Sequence, residues 1–150
     1  MESKILGLDI GSKTVGIATS NGVVANPGPT IRFEEWEFEE GVQKTTDLIN
    51  EYKAEILVIG YPKNMDGSIG ERAEMVDYFI EGILAYNPQF TEANIIRIDE
   101  RRTTKMAKAI MIEAGITREK QKRSKDSLAA QLILEQYLNI KEKNNEAPTS

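Results

Sequence analysis

The sequence predicts one α/β domain over residues 1–140, a five-stranded mixed sheet of three antiparallel and then two parallel strands with helices on both faces. Three features point there. Two short β-like runs flank Gly11, Ser12 and Lys13 at hairpin spacing, two later apolar runs are continuous enough to be covered on both faces, and helical periodicity separates them.

In chain order, residues 4–10 and 14–20 are the hairpin strands, and a third strand from Val23 to Phe33 completes an antiparallel meander. Phe38, Val42, Ile49 and Tyr52 recur at helical spacing, and Ile56, Leu57, Val58 and Ile59 follow as a buried strand. A turn-rich loop spans Tyr61 to Gly70. After it come a helix with Val76, Phe79, Ile80 and Ile83 on one side and a second buried strand, Ile95 to Ile98. Thr103 or Thr104 can cap a helix carrying Ala107, Ile110 and Ala114, and a final helix runs from about Lys125 to Ile140. Residues 141–150 are a polar tail expected to fray. Mixed sheets of this kind bind ligands beyond the carboxyl ends of strands where the order reverses, here between the first strand and the one ending at Gly60.

Composition narrows the chemistry. The chain has no cysteine and no histidine, which removes disulfides, thiolate nucleophiles, zinc sites built on sulfur or imidazole, and histidine proton shuttles. Carboxylate, hydroxyl and lysine chemistry remain, and carboxylates suit magnesium or manganese. No apolar stretch approaches the 18 or so residues that cross a bilayer and no secretory leader is recognisable, so a cytoplasmic protein with no membrane partner is expected. The net charge of −5 is unevenly spread: Arg97 to Lys125 holds ten basic and four acidic residues, a local +6 that leaves −11 for the remainder. A phosphate backbone is drawn to that third and repelled elsewhere, although the same residues could simply solvate helix faces.

Three acids stand out. Asp9 interrupts the apolar strand Ile5, Leu6, Gly7, Leu8, Ile10, where an unpaired buried carboxylate costs several kcal/mol, so it needs a turn hydrogen bond, a metal or a substrate. Gly7 to Thr14 resembles a phosphate-binding P-loop, but Ser12 intrudes, Asp9 lies inside, and the chain continues as a strand where a P-loop opens a helix. At the end of the last strand, Asp99 and Glu100 precede Arg101, Arg102, Thr103 and Thr104. One acid of the pair can face Asp9, and Glu100, with the longer side chain, is favoured. Asp126 shares a helix face with Ala130, Ile133 and Tyr137, and the small Ala130 would let that face press on the sheet and carry the carboxylate inward. Three such acids can surround two cations about 4 Å apart, one activating water and one stabilising the leaving oxygen.

The segments LGLDIGSKTVGIA (6–18), VIGYPKNMDGSIG (58–70), DERRTT (99–104) and KDSLAAQLILEQYL (125–138), taken in order, resemble the YqgF family, also called RuvX. That resemblance implies a ribonuclease H fold and a nuclease similar to Holliday junction resolvases of the RuvC type. It links the chain to maturation of the 5′ end of the small-subunit ribosomal RNA precursor, with junction resolution as an older proposal. It implies Asp9, Glu100 and Asp126 as catalytic metal ligands for Mg²⁺ or Mn²⁺, and a loop of Gly60, Pro62, Asn64 and Gly67 at the edge of the site. Lys13, Asn64, Arg101, Arg102, Lys105, Lys122, Arg123 and Lys125 are the candidate nucleic-acid contacts, made by a monomer or a homodimer. RuvC-type resolvases carry a further acid one turn into the final helix, where this chain has Ala129, so a second metal would be held less firmly. Two other readings stay open: a non-catalytic RNA- or ribosome-binding module, and the phosphate loop of actin-like ATPases, which the hairpin around Asp9 also resembles.

Overall fold

The computed structural model describes residues 4–62, 70–99 and 128–141. Five strands, β1 (Ile5–Ile10), β2 (Thr14–Ser20), β3 (Ala25–Arg32), β4 (Ile56–Tyr61) and β5 (Ile95–Asp99), form one sheet in the order β3-β2-β1-β4-β5. Pairings β1–β2 and β2–β3 are antiparallel, while β1–β4 and β4–β5 are parallel. This is the expected meander and two parallel strands, with the switch at β1. Pro27 and Pro29, which cannot donate to a ladder, sit in β3 at the sheet edge, where that loss is tolerated.

Strand alternation divides the core. Leu6, Leu8 and Ile10 of β1, with Leu57, Ile59 and Tyr61 of β4, face helices α1 (Phe38–Tyr52) and α2 (Glu71–Tyr86), meeting Val42, Ile49, Val76, Phe79, Ile80 and Ile83. On the opposite face Ile5, Val58 and Ile98 pack against Ala130, Ile133, Leu134 and Leu138 of α3, a helix whose described part covers 128–141. The β1–β2 turn is tighter than the expected three-residue spacer, because the Gly11 N–H donates to the Thr14 carbonyl at 2.8 Å and leaves Ser12 and Lys13 as the turn. The chain then enters β2, so the P-loop reading fails on structure as it did on sequence. No helix among the described residues is long and apolar enough to cross a membrane. The predicted helix after Thr103 and the tail from residue 142 lie outside the described residues.

Candidate active site

Asp9 is held by the most interior strand pairings of the sheet. It belongs to the odd-numbered set of β1, the face shared with Ile5 and Gly7 and covered by α3. Gly7 is what brings that helix down. A Cβ at position 7 would stand 2.9 Å from the Ala130 carbonyl oxygen and 3.1 Å from Leu134 Cβ, so the helix backbone rests directly on the strand. Ala130 and Ile133 are fully buried, as the small-residue argument requires. Asp9 is the next residue on that face toward the carboxyl end, and it is half-buried.

Its lateral neighbours are both glycines. Gly16 is its registered partner on β2. On β4 the last registered pair is Leu8 with Ile59, and one further step puts Gly60 alongside Asp9. Neither registered position carries a side chain, so both leave a cradle of bare strand backbone beside Asp9. A carboxylate in such a cradle, in a chain without sulfur or imidazole donors, fits a small hard cation.

The turn beyond Asp9 is fastened from outside. The Ser12 carbonyl accepts from the Trp36 N–H at 2.9 Å and the Lys13 carbonyl from the Phe33 N–H at 3.0 Å, so the β3–α1 connection pins both turn residues. Lys13, a predicted nucleic-acid contact, is exposed in this turn.

Of the acid pair Asp99 and Glu100, the structure describes Asp99, the last residue of β5. Asp99 lies in register with Tyr61, whose ring belongs to the core beneath α1 and α2. Arg97, two residues earlier on the same side, contacts Glu92 at 2.9 Å and Asp77 of α2 at 3.8 Å. Alternation therefore puts Asp99 on the face opposite to Asp9. Arg97 also leaves the basic segment in electrostatic terms: the hydrogen bond it donates to Glu92, with help from Asp77, raises its already high pKa and neutralises it locally. The same bond lowers the Glu92 carboxyl. Tyr61 donates its hydroxyl to Asp77 at 2.7 Å, and burial first, then this bond, push its pKa up.

Among the described residues no three acidic groups converge on a common point. Glu100 and Asp126 lie outside the described residues, as do Asn64, Gly67, Arg101, Arg102, Lys105, Lys122, Arg123 and Lys125. What the sequence reading did not draw out is the double glycine flank of Asp9. It was legible in principle, because a turn at Ser12 and Lys13 pairs residue 9 with residue 16.

Comparison with known proteins agrees with this geometry. A family model described as RuvX, Holliday junction resolvase, matches residues 3–140. A protein of Mesoplasma florum named "Putative pre-16S rRNA nuclease" is 66% identical over 136 residues, spanning 91% of this chain and 96% of its own length. A Staphylococcus carnosus protein of the same name is 42% identical over 137 residues, 90% of this chain and 94% of that one. Among solved structures, Thermus thermophilus RuvC in complex with a Holliday junction superposes with a TM-score of 0.58 at 14% identity, covering 93% of this chain and 96% of that one. A second T. thermophilus RuvC structure gives 0.53 at 16% identity, over 92% and 96%. At that identity the likeness speaks to fold, and the fold is that of RuvC and the ribonuclease H group.

Proposed function

The chain belongs to the RuvX family, and from that premise we propose that it hydrolyses phosphodiester bonds in precursor 16S ribosomal RNA, in maturation of the 5′ end, with Mg²⁺ or Mn²⁺. The observation that supports this most directly is Asp9, a half-buried carboxylate at the sheet's switch strand, flanked by Gly16 and Gly60 and lying just past the seat of α3 on Gly7. That is where an open mixed sheet offers a ligand site.

In this reading Asp9, Glu100 and Asp126 hold the cation. Glu100 is preferred to Asp99 because Asp99 shares a face with Tyr61 and Arg97, away from Asp9. A bound divalent ion would supply a more acidic water as nucleophile and stabilise charge on the leaving oxygen. The chain's own residues bind and orient the substrate. Lys13 and the cations Arg101, Arg102, Lys105, Lys122, Arg123 and Lys125 attract the phosphates, and Asn64 donates from the edge. Ala129, buried where RuvC-type resolvases carry an acid, leaves the cation set one carboxylate short, which predicts weak metal affinity.

The test is cleavage of precursor 16S RNA, with a four-way DNA junction in parallel, in Mg²⁺ or Mn²⁺. Asp9→Asn should reduce cleavage to background while leaving the folded state and RNA affinity intact. Equal residual cleavage by both proteins would overturn the nuclease reading in favour of a binding module, and cutting of the junction alone would reassign the substrate.

A further inference from the structure

The sheet face turned away from Asp9 carries a second feature that the nuclease reading does not use. Helices α1 and α2 meet tightly at Gly82, where a Cβ would stand 2.9 Å from Val42 Cγ2. With no side chain at that position, a groove of about 360 Å³ opens above the contact, lined by Glu39, Val42, Tyr78, Glu81, Gly82 and Tyr86. Tyr78 is 60% exposed and Tyr86 46%. The Tyr86 hydroxyl donates to Glu39 at 3.0 Å and receives the Gln43 amide at 3.4 Å, so this wall is already fixed in place.

Aromatic surface continues outward from the groove. The Phe38 ring lies 6.0 Å from Tyr78, and Trp36 stands edge-on to Phe38 at 5.7 Å with 63% of its surface exposed. Trp36 also holds a left-handed φ of 68°, a conformation costly for a bulky residue, while its N–H is bound to the Ser12 carbonyl. Exposed tyrosine and tryptophan in one strip are the composition of an interface.

Charge decides what fits. Residues 34–52 and 71–86 hold eleven acidic and two basic residues, and one of the two, Lys44, is paired with Glu40 at 2.9 Å. A nucleic-acid backbone is repelled by that field, and a second copy of this surface would meet its own acids. A guanidinium or ammonium group gains carboxylates and aromatic faces together. We propose that the groove between α1 and α2, with the Trp36–Phe38 ledge, docks a lysine- and arginine-rich protein segment that inserts a cationic side chain between Tyr78 and Tyr86. The groove lies on the sheet face opposite to Asp9 and uses none of the proposed cation ligands, so peptide binding is read separately from RNA cleavage.

The probe is a nine-residue arginine-rich peptide titrated into the full chain, read by the fluorescence of Trp36, the one tryptophan in the sequence, and by calorimetry. Saturable binding is expected. Glu81→Lys and Tyr78→Ala should each weaken it by about tenfold or more, the range of a central interface contact. Glu51→Lys, about 18 Å from Glu39 along α1, should change it less than about twofold. Absence of binding at millimolar peptide would overturn the proposal, as would equal weakening by Glu51→Lys and Glu81→Lys, which means diffuse attraction. Self-association of the chain that Glu81→Lys abolishes would also overturn it, by making a second copy the occupant.

Discussion

Gly7→Ala isolates the contact on which the candidate site is built. The added Cβ would lie 2.9 Å from the Ala130 carbonyl oxygen and 3.1 Å from Leu134 Cβ, where ordinary contact begins at 3.4 Å, so α3 must withdraw by about 0.5 Å. The nearer obstacle is helix backbone, which no rotamer change can move aside. Overpacking of this kind costs about 1–3 kcal/mol, and the upper half of that range applies when the neighbour cannot yield. Stiffening of the unfolded chain by alanine returns about 0.4–1 kcal/mol. The net loss is then about 1–2.6 kcal/mol, which for a domain of this size lowers the melting midpoint by about 3–8 °C. Gly11→Ala is the control, because its Cβ would meet only the Thr14 hydroxyl at 3.3 Å and that carbonyl at 3.4 Å. Calorimetric unfolding of both variants should show a clear loss for the first and a shift under about 2 °C for the second. Equal midpoints for Gly7→Ala and wild type would mean that α3 does not rest on β1, and the placement of Asp9 at its margin would fall with it.

Two further perturbations follow from the backbone and the charges. Tyr61 has its pKa raised above the ordinary 10.0 by burial and by the bond to Asp77, so its stabilising contribution is fully present below pH 10 and is lost as pH rises through the folded value; urea midpoints across pH 8–11 should fall less steeply for Tyr61→Phe, and parallel curves would refute the assignment. Lys53 ends α1 at φ 59° and ψ 47°, a left-handed conformation that costs an ordinary residue about 1–2 kcal/mol. Lys53→Gly, after the larger entropy loss of glycine, should gain about 0.5–1 kcal/mol in urea unfolding, and a lowered midpoint would refute that reading.

The sheet was legible because its signals are local. Alternation and apolar runs placed all five strands, and Asp9 announced itself by breaking one of them. The face of the final helix was legible too, since Ala130 is small for a reason that Gly7 supplies. Charge counting was less informative. Arg97 belongs to the basic segment by sequence, yet Asp77 of α2, twenty residues away, and Glu92 claim its charge, and no periodicity reveals such a pair. The left-handed residues Trp36 and Lys53 were equally silent, because neither is a glycine and tertiary contacts impose their conformations. The groove between α1 and α2 needs two helices side by side before it exists at all.

Strand β1 shows how one short run of sequence sets both stability and chemistry. Its even residues, Leu6, Leu8 and Ile10, are buried beneath α1 and α2. Its odd residues decline in apolar bulk toward the carboxyl end: Ile5 is packed under α3, Gly7 admits the helix backbone, and Asp9 follows half-buried. A register slip of one residue would exchange the two sets, burying the carboxylate among Phe79 and Ile80 and turning leucines toward the candidate site. The cost of burying that charge, several kcal/mol, therefore works against misregistration alongside the apolar residues that favour the native pairing. Asp9 in this view contributes to specifying the fold as well as to any chemistry performed at its edge, and Asp9→Asn, unlike an apolar replacement, removes the carboxylate while keeping a polar group that still resists burial among Phe79 and Ile80.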